Sequence, residues 1–269
     1  MYIKNDKTTI FVSKDKDIND IPILFLHGFT GSSKSWDETR SNLNYPSIAI
    51  DLPGHGRSSF NTLDVEYNYK DFRTELFLSL KKLGIEQIHL CGYSMGGRIA
   101  ISFAQKFPQL IKTLILESTT LGITRNDEKI KKLEDDVELS NSIKSSIDSF
   151  IEEWSLNPLF VSQKERNING FNNQKKIRLN HNPIQLAKSL TSFSKGTMPA
   201  FEEAFGLFDF PVFLINGSDD TKYIKLARDM MKINKKAKQF IVDNSSHNVN
   251  IENNEYFIYT LNNILRQVD

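Results

Sequence analysis

The chain has 269 residues, 39% hydrophobic and 25% charged, ordinary proportions for a globular protein. Its 34 Lys and Arg against 33 Asp and Glu leave a formal net charge of +1, so no global field draws it to nucleic acid or an anionic membrane. The single cysteine, Cys91, excludes an intramolecular disulfide and any multi-cysteine metal or redox motif. A chain of this length can bury a substantial core without staples. It contains no run of about 18 apolar residues, so no membrane insertion is expected. The segment MYIKNDKTTIFV lacks the charged-then-apolar layout of a secretory signal, and the expected location is cytoplasmic.

Along the chain, short apolar runs alternate with amphipathic stretches. Ile21–Leu26 and Ser47–Ile50 predict buried strands. Tyr69–Leu83 places Phe72, Leu76, Leu80 and Leu83 on one helix face. Ile88–Cys91 predicts the next strand, and Ser94–Phe107 a helix carrying Ile99, Ala100, Phe103 and Ala104, stopped by Pro108. Thr113–Leu116 is a further strand. Residues 122–199 then show helical patterns and no strand, rich in Asn, Ser, Lys and Arg. Pro211–Ile215 and Gln239–Val242 resume the strands, with helices at Ile224–Ile233 and Glu255–Val268. This alternation predicts an α/β fold with a mostly parallel sheet flanked by helices. Residues 1–121 and 200–269 form the expected core, and 122–199 an inserted helical lid. The plainer alternative for the insert is a solvated helical decoration.

The sharpest chemical signal is Gly92-Tyr93-Ser94-Met95-Gly96, a G-x-S-x-G between a predicted strand and a predicted helix. So tight a turn needs small flanking residues and leaves Ser94 projecting at a helix N-terminus. A reactive serine requires a base, and the base an orienting acid. Of the five histidines, His247 in Asn244-Ser245-Ser246-His247-Asn248 follows the last strand and is the expected base. His89 falls within a strand, His181 reads as a surface-loop residue of the insert, and His27 and His55 read as local ties in turn-rich loops. For the acid, Asn216-Gly217-Ser218-Asp219-Asp220 offers two aspartates, and the G-x-x-D spacing selects Asp220. Backbone N–H groups of Met95 and Phe29 are the expected oxyanion donors. Arg98, four residues past Ser94, shares its helix face and suits an anionic substrate, or else a salt bridge to a neighbouring loop.

HGFTGSSKSW, DLPGHGRSS, GYSMGG, NGSDD and SSHN, in this order, resemble the α/β-hydrolase superfamily. The GYSMGGR block, with Trp154, Asn157-Pro158-Leu159-Phe160 and Arg178 in the insert, is similar to the 2-succinyl-6-hydroxy-2,4-cyclohexadiene-1-carboxylate synthases of menaquinone and phylloquinone biosynthesis. That resemblance implies a lyase removing pyruvate from 2-succinyl-5-enolpyruvyl-6-hydroxy-3-cyclohexene-1-carboxylate. Ser94, His247 and Asp220 would then serve proton abstraction rather than acyl transfer. It also implies Arg98, Tyr93, Trp154 and Arg178 as substrate contacts, with no cofactor or metal. A further early-lid cation is expected among Arg125, Lys129, Lys131 and Lys132. Ser155 stands where some relatives have tyrosine after the lid tryptophan, and Asn248-Val249-Asn250 lacks a histidine found in others. Two other functions remain open on sequence: a serine ester or carbon–carbon-bond hydrolase, and a non-catalytic binding protein of the same fold.

Overall fold

The computed structural model describes residues 1–15 and 18–268. Its strands are β1 (Tyr2–Lys4), β2 (Thr8–Lys14), β3 (Ile23–Leu26), β4 (Ser47–Ile50), β5 (Ser59–Phe60), β6 (Ile88–Tyr93), β7 (Ile111–Glu117), β8 (Val212–Gly217) and β9 (Ala237–Val242). They form one sheet in the order β1-β2-β4-β3-β6-β7-β8-β9, with β5 paired to β2. From β4 to β9 all neighbours are parallel, whereas β1, β2 and β5 make an antiparallel edge. That edge was not anticipated from sequence. In β2 the alternation is nonetheless plain: Thr8, Ile10 and Val12 point inward while the residues between them are half-buried.

Helices α1 (Asp37–Ser41), α2 (Tyr69–Lys82) and α3 (Met95–Lys106) lie between the first strands. Six more, α4 (Asn126–Ser145), α5 (Ile147–Ser155), α6 (Gln163–Arg166), α7 (Ile168–Leu179), α8 (Pro183–Ser192) and α9 (Glu202–Gly206), fall between β7 and β8. Then follow α10 (Thr221–Ile233), α11 (Val249–Glu252) and α12 (Asn254–Arg266). Among the described residues no helix is long and apolar enough to cross a membrane. The start of α2 is fixed by a reciprocal cap: Asn68 Oδ1 accepts from the Lys70 N–H, and Asp71 accepts from the Asn68 N–H, each at 2.9 Å.

The parallel strands β3, β4, β6 and β8 are buried along their whole length, whereas β9 at the sheet's edge is half exposed. In β3, Leu24 and Leu26 pack with Phe72 and Leu76 of α2 and Ile99 and Phe103 of α3. Ile23 and Phe25 join Trp36 and the α12 residues Phe257, Leu261 and Ile264 on the opposite face.

The segment between β7 and β8 has a small core of its own, built on Ile143, Phe150, Ile151, Leu186 and Leu190. The segment therefore packs on itself rather than lying as separate solvated helices. Its two ends meet at a narrow neck. The Phe201 N–H donates to the Leu121 carbonyl at 2.7 Å. Gly122 takes φ +108°, and a Cβ there would sit 2.7 Å from the Pro199 carbonyl oxygen.

Three buried imidazoles join this segment to the loops after β3 and β4. His27 stacks edge-on against His55, and His55 against His181, with ring centroids 4.9 and 5.3 Å apart. His181 Nε2–H donates to the Thr30 carbonyl at 2.8 Å, and its Nδ1 accepts from the Gly56 N–H at 3.0 Å. It is therefore a buried tie, not the surface residue expected from its polar surroundings. His55 also reaches beyond its own loop, accepting from the Thr30 N–H and meeting Ser189 Oγ of α8 at 3.2 Å. Burial keeps all three neutral, and holds His27 at about 4.

Candidate active site

Ser94 occupies the turn between β6 and α3 with φ +49° and ψ −106°, a strained conformation for a non-glycine residue. The crowding that imposes it is severe. A Cβ on Gly96 would lie 2.2 Å from the Leu26 carbonyl oxygen, and one on Gly92 would lie 2.6 Å from the Gly96 carbonyl oxygen. The turn is anchored from β7: the Ser94 N–H donates to the Glu117 carbonyl at 2.9 Å, and Thr119 Oγ1 donates to the Ser94 carbonyl at 2.7 Å.

The loop after β9 brings His247 to this serine, with Nε2 3.3 Å from Ser94 Oγ. The loop after β8 brings Asp220 behind it, where Asp220 Oδ2 accepts from His247 Nδ1–H at 2.8 Å. The carboxylate thereby fixes the tautomer that leaves Nε2 free to take a proton. Asp219, the competing aspartate, turns away and pairs with Arg166. The imidazole is enclosed by rings: Tyr223 at 4.4 Å, Tyr93 at 5.6 Å and Phe160 at 6.1 Å between centroids. Asn250, three residues past His247, is held by Glu117 Oε1, which accepts its N–H at 2.9 Å. Burial pushes that carboxyl up to about 8.

The N–H groups of Phe29 and Met95 have no acceptor among the described residues, so both are free to bind a developing oxyanion. The Phe29 ring meets Trp154 and Phe150 of α5 at 5.7 and 6.5 Å, and Trp154 meets Phe160 at 5.5 Å. These rings roof the serine with apolar surface from the inserted segment.

Beneath that roof are polar groups without partners. Arg178 of α7 is buried, stands 5.2 Å over the Phe160 ring, and leaves Nε and Nη1 unpaired. The Tyr93 hydroxyl and Trp154 Nε1 are likewise buried and unpaired. Arg178 and Tyr93 face a small cavity of about 20 Å³, shared with Phe29, Phe160 and Asn248. A cleft of about 540 Å³ lies outside it, and the two share Ser35 and Gln174, joined by a 3.0 Å hydrogen bond.

Arg98 is buried on α3 with Nε unpaired, its Nη2 making only a 3.4 Å contact to the Phe193 carbonyl. No carboxylate pairs with Arg98 or Arg178 among the described residues, so the expected alternative of a salt bridge to a nearby loop is not realised at Arg98. Burial lowers both guanidiniums to about 10. Of the early-lid cations, Arg125 and Lys131 are engaged in exposed ion pairs. Lys132 pairs with the buried Asp136, which also accepts from Ser194 Oγ at 2.6 Å. Lys195, the next residue, stands out in the sequence only as one of the insert's many cations. Burial, with Arg98, Lys132 and Lys222 nearby, lowers its ammonium to about 8. Only its place at the end of a basic insert could have signalled it.

Residues 21–254 match the alpha/beta hydrolase fold family. A Bacillus subtilis (strain 168) protein carrying the 2-succinyl-6-hydroxy-2,4-cyclohexadiene-1-carboxylate synthase name is 32% identical, over 87% of this chain and 86% of its own length. The synthase of that name from Enterobacter sp. (strain 638) is 26% identical over 91% of each chain. Among solved structures, that of MenH from S. aureus superposes with a TM-score of 0.89 at 28% identity, covering 96% of this chain and 98% of the other.

Proposed function

The chain belongs to the alpha/beta hydrolase fold family and, within it, to the 2-succinyl-6-hydroxy-2,4-cyclohexadiene-1-carboxylate synthases, and from that premise we propose how its residues carry out the reaction. The enzyme is a lyase that eliminates pyruvate from 2-succinyl-5-enolpyruvyl-6-hydroxy-3-cyclohexene-1-carboxylate in the route to menaquinone or phylloquinone. Ser94 Oγ takes a ring proton as His247 takes the serine's own, and Asp220 stabilises the imidazolium that results. The electron pair released from the ring C–H bond forms a double bond to the neighbouring alkene carbon, while the pair of the existing ring double bond moves one bond along and expels the enolpyruvyl oxygen, turning the 3-ene into the 2,4-diene. The enolate that leaves takes a proton at its methylene carbon from the His247 imidazolium and becomes pyruvate. Phe29 and Met95 N–H groups meet the negative charge as it develops.

The observation that carries this reading is the pair of buried guanidiniums without a carboxylate partner, Arg98 and Arg178, together with the serine relay. A buried cation without a protein counter-ion is costly, and a substrate bearing several carboxylates supplies the missing partners. A neutral ester would leave both unpaired. Tyr93 and Trp154 add hydrogen-bond donors, and residues 122–199 act as the lid. We place the reaction in the cytoplasm.

A coupled assay tests it. With the enolpyruvyl substrate, pyruvate read through lactate dehydrogenase should appear far faster than spontaneously, matched by the diene product. Release at the spontaneous rate, together with turnover of simple aryl esters, would assign the site to ester hydrolysis instead.

The same assay tests Lys195. Below about 8 its ammonium is charged and adds to the field of Arg98, and above that it is neutral. The KM should therefore rise as pH passes upward through about 8. Lys195→Met should show a high KM at all pH values. A Lys195→Met profile matching wild type would remove Lys195 from substrate binding.

A further inference from the structure

The loops carrying Asp220 and His247 are also tied to each other through the inserted segment. Arg166, at the end of α6, sends Nη1 to Glu252 Oε2 at 2.5 Å and Nη2 to Asp219 Oδ2. Asp219 is the immediate neighbour of Asp220. Its N–H donates to the Ser245 carbonyl at 3.0 Å, so the acid and base loops touch here. Glu252 lies at the far end of the base loop, and its Oε2 also accepts the Ser246 N–H, one residue before His247, at 3.0 Å. Ser162 Oγ donates to the same oxygen at 3.0 Å, and Asn167 Nδ2 donates to the Ile251 carbonyl at 2.9 Å. A single stretch, residues 162–167, thus grips both loops from outside the sheet.

The charges show where the strength lies. The Glu252 side chain is fully buried, Arg166 is 16% exposed, and Asp219 is 56% exposed. Among the described residues Arg166 is the sole cation paired with either carboxylate. Glu252 therefore needs Arg166, because a buried carboxylate stripped of its partner is strongly unfavourable. Asp219 contributes little to stability from the surface. Its bond to Arg166 instead fixes where the acid loop sits.

We propose that Arg166 is a positioning residue for the reaction, holding the Asp220 loop and the His247 loop in mutual register, and that it makes this register depend on docking of the inserted segment. Arg166 touches no reacting atom. It sets the geometry in which Asp220 orients His247 towards Ser94. The inference rests on the reading of Ser94, His247 and Asp220 given above. It gives the insert a second task beside roofing the substrate: the relay is aligned when the insert is in place.

Three variants test this. Arg166→Gln should lower kcat by about 10- to 100-fold, the scale of a reacting group displaced by about 1 Å. The KM should change little, since the substrate carboxylates meet Arg98 and Arg178. Arg166→Lys should recover part of the loss, because an ammonium can hold one carboxylate but not fork between two. Asp219→Asn leaves Glu252 paired and so keeps the fold, yet should still lower kcat measurably. The low-field proton NMR signal of the His247–Asp220 hydrogen bond, present in wild type, should weaken in Arg166→Gln. This signal needs no substrate, so it reports on register even if wild type releases no pyruvate, an outcome that would count against the functional reading alone. Wild-type kcat per folded molecule in Arg166→Gln and Asp219→Asn, or an unaltered low-field signal, would reduce Arg166 to an ordinary structural ion pair.

Discussion

Ser94→Ala is expected to cost about 10²- to 10⁴-fold in kcat, the usual worth of a positioned proton-transfer group. The loss should fall on kcat, because in the proposed reading Arg98 and Arg178, not Ser94, hold the substrate carboxylates. His247→Ala should cost a comparable factor. The double variant should be little worse than either single one, since a relay missing one member gains nothing from the other. Folding should survive in Ser94→Ala: alanine at φ +49° is strained much as serine is, and neighbouring glycines already create the space. Steady-state kinetics alongside a thermal melt separate the two effects. A folded Ser94→Ala enzyme with more than about a tenth of wild-type kcat would contradict the proton-transfer role.

Replacing Arg98 or Arg178 with methionine should move activity and stability in opposite directions. Each guanidinium is buried without a paired carboxylate, so the folded protein bears a desolvation cost that the Phe193 carbonyl at Arg98 and the Phe160 ring at Arg178 offset only in part. An apolar chain of similar length removes that cost, and the melting temperature should hold or rise. The substrate, however, loses a charge-assisted bond of roughly 1.5–3 kcal/mol, or about a 10- to 100-fold rise in KM for each arginine. Turnover of a small neutral ester, if any is detectable, should be unaffected. A fall in melting temperature in Arg98→Met, with KM unchanged, would make Arg98 a structural residue.

Much of this arrangement was legible because close backbone approach restricts residue choice. Around Ser94 the end of β3 crowds position 96 and the start of α3 crowds position 92, so only glycine fits at either, and that restriction is visible as a motif. The tight loop after β8 likewise separates Asp220 from Asp219 by spacing alone. Other features left no local trace. β2 pairs with β4 and β5, about 40 to 50 residues further along, so only its hairpin with β1 is local in sequence. His181 sits in an Asn-rich stretch that resembles surface, and it is buried by loops more than a hundred residues away. Arg166, Glu252 and Lys195 look like ordinary charged residues until the chain is folded. Long-range pairing of single charges has no periodicity to read.

The neck at Leu121 and Phe201 has an implication for how such enzymes diversify. The inserted segment leaves and rejoins the core at a single backbone hydrogen bond, while β7 and β8 pair directly beneath it. Sheet register is thus set independently of whatever the excursion contains, and lengthening a loop already closed at its base adds only slowly to its entropic cost. Lineages of this fold can exchange the whole excursion, and with it the cations and rings that choose the substrate, while the serine turn is inherited intact. What an exchanged segment would have to reproduce is its grip on the loops around the relay.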